Sequence, residues 1–329
     1  MSNISSYRHF LLDGFGDLGA LRSVLFLPFT AMFVVSLLAN SLLLYVVVSN
    51  RSLHSPMCIL IAAMAVVDLS LPLFFVPSML LNFLLGWRSI SLSGCLLQMH
   101  LLHFLGALQS TLLVWMALDR YFAICTPLSY HQRMAPQRFL WFVAPLVLRN
   151  GVIVSLLVGL AGTLTFCRNV IQHCFCEHMA LVELSCGWPA VNSLLGNSAA
   201  GLAVIICFVG VDIPLIFFSY VKIISVVLQA AAGDDRRKAF HTCGTHLMVM
   251  MCFYLVGSVT FLSHNLNIPI PTDVNTFMGL MYILLPATVN PIIYGVRTKE
   301  IRNGFLRIFK LRAKTILSVK VSPAGKAQT

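Results

Sequence analysis

Seven stretches of this chain are too long and too apolar for water to be their solvent. They run at about residues 24–48, 57–85, 92–118, 139–165, 194–221, 240–262 and 274–296, and none carries more than one Asp, Glu, Lys or Arg. A hydrocarbon core of ~30 Å takes about 20 helical residues to cross. The whole chain agrees: 58% hydrophobic residues, 10% charged and a mean hydropathy of +0.88 exclude a water-soluble domain of 329 residues. The expected fold is therefore an all-α membrane protein, a bundle of seven transmembrane helices at 24–296. An outer segment at 1–23 precedes it and a tail at 297–329 follows.

Orientation follows from Lys and Arg, which favour the cytoplasmic side. With the N-terminus outside, the outer segments hold four, Arg8, Arg22, Arg88 and Arg168, whereas the inner segments hold 17 and Arg149 lies inside the fourth span. That split sets the N-terminus outside and the C-terminus inside. The net charge of +11 then faces anionic inner-leaflet lipid, and no soluble domain carries it as a nucleic-acid patch. The first 23 residues lack the basic start and short apolar core of a cleaved signal peptide, so the first span is expected to act as a signal-anchor. Asn3-Ile4-Ser5 is then a glycosylation sequon on the outer side, while Asn50-Arg51-Ser52 falls in an inner loop.

The inner loops are short, about 49–56, 125–138 and 230–239, and only the second outer loop, 166–193, is long. Beyond the seventh span, apolar Ile301, Phe305, Leu306, Ile308 and Phe309 recur at helical spacing with Arg and Lys between them, which predicts an amphipathic interfacial helix. From about Lys314 the chain reads as a disordered tail.

The third span ends in Met116-Ala-Leu-Asp119-Arg120-Tyr121-Phe-Ala-Ile-Cys-Thr-Pro127-Leu-Ser-Tyr130. Charges at the edge of a span are expensive unless they have a task. Asn290-Pro291-Ile-Ile-Tyr294 closes the seventh span, Ser219-Tyr220 stands at the inner end of the fifth, and Lys238-Ala-Phe-His241-Thr-Cys243-Gly-Thr-His246-Leu opens the sixth. Together, in this order, they resemble the rhodopsin-like G-protein-coupled receptors and, within them, the olfactory receptors of the class I or fish-like branch. The resemblance covers about residues 20–310.

It implies a receptor rather than an enzyme. A small odorant would enter from outside, and helix six would swing outward to open a cleft for a stimulatory, olfactory-type G-protein that raises cAMP. The cell membrane of olfactory sensory cilia is the implied location. Asp119, Arg120, Tyr121, Tyr220, Lys238, Asn290, Pro291 and Tyr294 would form the coupling switch, Arg120 pairing with Asp119 in one state and meeting the partner in another. The implied odorant cavity matches His103, Gly106, Ala107, His178, Gly201, Ile205, Tyr254, Phe261 and Asn265, with the small Gly106 and Ala107 leaving volume. Acid-sensing members carry an Arg at the position of Asn265, so its absence demotes fatty acids in favour of neutral polar or amine-bearing molecules.

Asp68 is the one charge in span two, and a carboxylate at that depth is a cation or proton site by default. The resemblance implies sodium there, the one cofactor-like ion it calls for, with a Glu from helix three. Gln109 stands at the matching position and removes one negative charge. A structural polar network of Asp68, Asn40 and Asn290 is the alternative.

Outer-loop cysteines lie at 167, 174, 176 and 186, with Cys95 at the start of span three on the same, oxidising side. Spacing alone leaves their connectivity open; the resemblance implies Cys95–Cys176 and Cys167–Cys186, with Cys174 left over. A metal site of His173, Cys174, Cys176 and His178 would need free thiolates in an oxidising space. Competing functions fare worse. A retinal-type pump needs a lysine in 274–296, and that stretch has none. A transporter or channel should show repeats or several intramembrane charges, whereas only Asp68, Asp212 and Arg149 qualify. A non-olfactory chemoreceptor of the same fold is separated only by tissue expression.

Overall fold

The computed structural model describes residues 6–186, 188–230, 233–265 and 270–307. Seven long helices follow one another: α1 (Phe26–Ser49), α2 (Pro56–Leu85), α3 (Leu92–Cys125), α4 (Pro136–Gly162), α5 (Trp188–Ala230), α6 (Gly233–Asn265) and α7 (Thr272–Arg297). Six of them contain a segment long and apolar enough to cross a membrane, and α6 supplies a shorter apolar stretch, His246–Val259. Their outward faces expose large apolar side chains such as Leu27, Leu38, Trp141, Leu156 and Phe217, a surface suited to lipid. The chain is a multi-pass membrane protein, as its composition predicts.

Local sequence places the helix ends. Ser55 and Ser91 accept the Cys58 and Gly94 amides at 3.4 and 3.1 Å, capping α2 and α3, and Pro56 occupies the first turn of α2. Helix α2 stops at Gly86, whose φ of +68° is a left-handed conformation open to glycine, and whose amide reaches Asn82 O at 2.9 Å. Several helices overrun the apolar stretches of the sequence. Helix α3 continues past Leu118 to Cys125, so Asp119-Arg120-Tyr121 sits on unbroken helix. Helices α5 and α6 run to Ala230 and from Gly233, leaving almost none of the expected third inner loop. Hydropathy registers where lipid ends, while backbone hydrogen bonding continues until a breaker intervenes.

The outer segment is more structured than its sequence suggests. Strand β1 (His9–Leu12) is the middle of a three-stranded sheet, antiparallel to β2 (Ser89–Ser91) and parallel to β3 (Val170–Ile171). Phe10 is fully buried with its ring edge-on to Phe166 at 5.2 Å. Beside it, the Asp13 carboxylate accepts from Arg88 at 2.8 Å and Arg22 at 3.4 Å. Four residues are too few for a strand periodicity to stand out, which is why the sequence reads as a plain tail here. Loop two also holds a short helix, His178–Val182, whose N-terminus Glu177 caps through the Ala180 amide at 2.8 Å.

On the inner side, α8 occupies 299–307, with Ile301 buried and Phe305 packed against Gly295 of α7. This is the predicted amphipathic helix in its described part. Ile308, Phe309, the tail and Asn3 fall outside the described residues.

Candidate ligand cavity and switch

The outer roof is held covalently. Cys95 at the start of α3 is bonded to Cys176, and Cys167 to Cys186, with Cα separations of 5.3 and 5.6 Å. Gln98, one turn below Cys95, accepts the Cys176 amide at 2.9 Å and fixes the loop a second time. Cys176 is thereby consumed, which removes one ligand of the alternative metal site. Cys174 is a free, buried thiol pressed against Gly14, and burial pushes its pKa well above the ordinary thiol value. Next to it Phe175 packs edge-on to Phe75 of α2 at 5.8 Å, and His173 lies against Gly279 of α7. Loop two thus plugs the space between α2, α3 and α7.

Under that roof, His103 and His178 come together at 6.5 Å between ring centroids, crossed edge to face. His103 Nδ1 is 2.8 Å from Met99 O, and His103 remains half-buried. One turn deeper, the space beside Gly106 is not open. A Cβ there would overlap the Tyr282 hydroxyl from α7, so the expectation that Gly106 leaves ligand volume is corrected. Ala107 is buried, and its carbonyl accepts from Asn150 of α4 at 3.1 Å. Gly201 is half-buried on α5. The Ile205, Phe261, Asn265 and Lys238 side chains lie outside the described residues.

The floor holds a polar cluster that sequence reasoning missed. Asp212 of α5 accepts from Arg149 of α4 at 3.3 and 3.4 Å and, through its other oxygen, from the Ser110 hydroxyl of α3. Arg149 also donates to Asn150 at 3.1 and 3.2 Å and stacks over Phe208, and Asn150 donates to Thr111 at 2.9 Å. Ser110 lies 2.8 Å from the Tyr254 hydroxyl on α6. Since the Ser110 proton is committed to a carboxylate, Tyr254 is the donor in that pair. Four helices are joined through one ion pair and two hydroxyls. A signal for it existed: Arg149 and Asp212 are the lone charges of spans four and five, and isolated opposite charges in hydrocarbon pair with each other.

Asp68 of α2 is fully buried. Gln109 of α3 donates to one oxygen at 2.6 Å and Asn290 of α7 to the other at 2.9 Å. Both amides leave their own oxygens, Gln109 Oε1 and Asn290 Oδ1, buried with no partner among the described residues. Asn40 does not reach this carboxylate; it donates to the carbonyls of Ala287 and Ser36 at 2.7 and 2.9 Å.

At the inner end, Arg120 Nη2 and Nε lie 2.6 and 3.0 Å from Asp119 Oδ2, while Tyr130 donates to Asp119 Oδ1 at 2.8 Å. Burial, and then the neighbouring Asp119, push the Tyr130 phenol above its ordinary pKa, so it remains a donor. Tyr294 is buried with its hydroxyl 3.3 Å from Met116 Sδ and its ring 6.0 Å from His246 of α6. The buried Tyr220 hydroxyl has no partner among the described residues. Tyr121 is half-buried at the same end, and Pro291 is buried in α7.

From the outer end inward, the described residues thus bring together the disulfide-bound loop two with His103 and His178, the Asp212 cluster with Ser110 and Tyr254, the buried Asp68, and the Asp119–Arg120 pair. Comparison with known proteins agrees in extent. The family model described as olfactory receptor matches residues 29–312. Olfactory receptor 52A5 of Homo sapiens is 36% identical over 93% of this chain and 96% of its own length. Olfactory receptor 52D1 of Homo sapiens is 36% identical over 93% and 96%, and olfactory receptor 51G1 of Homo sapiens 33% over 92% of each.

Proposed function

This chain belongs to the olfactory receptor family, and from that premise we propose that it binds a small odorant beneath loop two and drives a stimulatory, olfactory-type G-protein to raise cAMP. The odorant sits between α3, α5 and α6, with His103, His178 and Tyr254 as polar fixing points and Gly201, Ile205, Phe261 and Asn265 completing the wall. His173 and Phe175 fill the α2–α7 side, which supports placing the ligand opposite them.

The observation that carries this reading is the Ser110–Tyr254 contact at 2.8 Å. It links α6 to a carboxylate anchored by α3, α4 and α5. An odorant that draws the Tyr254 proton toward itself loosens α6 from that anchor, and α6 swings outward. Inward of the floor, Tyr294 and Tyr220 repack, and Arg120 leaves Asp119 for the G-protein. The inner face, with Lys238 among its basic residues, supplies electrostatic complementarity for that partner. The receptor performs no chemistry on the odorant. Cilia of olfactory sensory neurons are the site of action.

Sodium at Asp68 belongs to the same reading. The Gln109 and Asn290 oxygens, which have no partner among the described residues, suit a hard cation that takes oxygen ligands, so these two residues and Asp68 would hold it. The ion would supply one positive charge that ties α2, α3 and α7 in the resting state. Gln109 contributes no charge of its own, which weakens the site.

The test is a cAMP screen of cells carrying this receptor against odorants differing in charge. Arg120→Ala should abolish odorant-dependent cAMP while surface delivery is largely retained. Signalling that survives in Arg120→Ala would count against the switch.

A further inference from the structure

Gly106 on α3 and Gly257 on α6 face one and the same side chain. A Cβ at Gly106 would overlap the Tyr282 hydroxyl and stand 3.5 Å from Cζ and 3.8 Å from Cε1. A Cβ at Gly257 would stand 3.1 Å from Cε2 and 3.5 Å from Cδ2 of that ring. Tyr282 of α7 therefore enters between the two helices, with its hydroxyl and one edge on α3 and the opposite edge on α6. Phe253, one turn inward of Gly257, packs against it at 5.9 Å between centroids. Glycine inside a helix is destabilising relative to alanine. Two glycines placed at opposite edges of one ring have a local reason: the ring needs the space.

The position of this slot gives it a consequence. Ser110 lies one turn inward of Gly106 on α3, and Tyr254 about one turn inward of Gly257 on α6. The Tyr282 ring is thus the layer directly outward of the Ser110–Tyr254 contact. Although it points at α3 and α6, Tyr282 is only half-buried, and so is Gly257. Part of the ring is therefore left uncovered at the level just outward of the Ser110–Tyr254 contact.

We propose that Tyr282, seated in the slot of Gly106 and Gly257, is the specificity-determining wall that closes the α7 side of the odorant cavity and limits the length of ligand that reaches Tyr254. This rests on the odorant-cavity reading above. It assigns a ligand class to the space as well: without the side chain, the space left between Gly106 and Gly257 is the one a phenol ring had filled. Free p-cresol, the tyrosine side chain as a small molecule, becomes a ligand of the Tyr282→Ala receptor. An apolar cavity opened by truncation in another protein is known to take a benzene ring in this way.

Two readouts separate slot from wall: thermal stability of the purified full-length receptor, and odorant concentration–response in cells. Gly106→Ala should lower stability, and Tyr282→Phe should restore it, because the overlap is with the hydroxyl. Gly257→Ala should be a smaller loss that Tyr282→Phe leaves in place, because the close atoms are ring carbons. Adding p-cresol should raise the stability of Tyr282→Ala and leave the parent receptor unmoved. Tyr282→Ala should gain about tenfold in potency for an odorant two methylenes longer than the parent's best ligand. A Gly106→Ala receptor that is as stable as the parent, or that Tyr282→Phe fails to restore, overturns the slot and the proposal with it. If the slot pattern holds but the order of potencies along an odorant chain-length series is the same in Tyr282→Ala, the wall is wrong. If the order changes in Tyr282→Ala while His103→Ala and His178→Ala leave the parent's curve unmoved, the wall stands and the histidine placement of the cavity falls.

Discussion

Asp68 and Asp212 are carboxylates buried to the same degree, 0% and 1% exposed, in the same bundle, and the chain surrounds them with different chemistry. Asp68 meets two neutral amides, Gln109 and Asn290, which satisfy its oxygens and leave its charge uncompensated. Asp212 meets a guanidinium, Arg149, and a hydroxyl, Ser110. The first arrangement places two amide donors and no cationic side chain on the carboxylate among the described residues, which is why sodium is proposed there. The second pairs the carboxylate with a guanidinium of opposite charge. Its remaining capacity goes into the contact with Tyr254 and so into the position of α6. Residue type alone does not separate the proposed ion site from the proposed helix anchor; the neighbours do.

The largest effect should come from breaking the neutral pair. Arg149→Ala leaves Asp212 buried and unpaired, a change worth about 3–5 kcal/mol, and surface delivery measured by antibody staining should collapse. The double variant Arg149→Met with Asp212→Leu should recover delivery without recovering odorant-driven cAMP. Recovery of both would mean that the pair serves stability alone.

A smaller effect is expected one bond away. Ser110→Ala removes the hydroxyl between Asp212 and Tyr254, leaving buried groups unsatisfied at a cost of about 1–3 kcal/mol. The receptor should reach the surface at reduced level and show raised basal cAMP, because α6 has lost its link to α3. Basal cAMP that falls would reverse the sign assigned to this contact.

The smallest effect belongs to Asp68. Gln109→Glu adds a second carboxylate, so the resting receptor should become more stable in sodium than in an equal concentration of a bulky organic cation. The gain is about 1.4 kcal/mol when sodium stands at ~10 times its Kd. The parent receptor should show a weaker sodium effect, read as the melting temperature of the purified protein. Equal sodium effects in both would remove the role given to Gln109.

Much of this molecule was legible from local pattern. The seven spans follow from hydropathy and the orientation from basic residues, because the bilayer imposes length and sign directly on the chain. The amphipathic spacing around Ile301 and Phe305 was also readable, since a helix buries one stripe wherever an interface runs along it. The β1 strand escaped because its partners, β2 and β3, lie about 80 and 160 residues away and each is shorter than a recognisable alternation. Gly106 was misread for a related reason. A glycine in sequence reports missing volume, but whether a ligand or a neighbouring side chain fills that volume depends on a helix 176 residues further along the chain.

Sequence by itself determined that this chain crosses a membrane seven times, that Arg120 faces the cytoplasm and that each charged residue inside a span requires a partner. These follow from transfer energies and one-dimensional spacing, which act on each segment separately. Tertiary structure decided which partner each charge takes, that loop two fills the α2–α7 side, and that Tyr282 occupies the gap between two glycines. Those outcomes depend on the rotation and mutual approach of helices distant in sequence, where shifts of about an ångström separate a contact from a void.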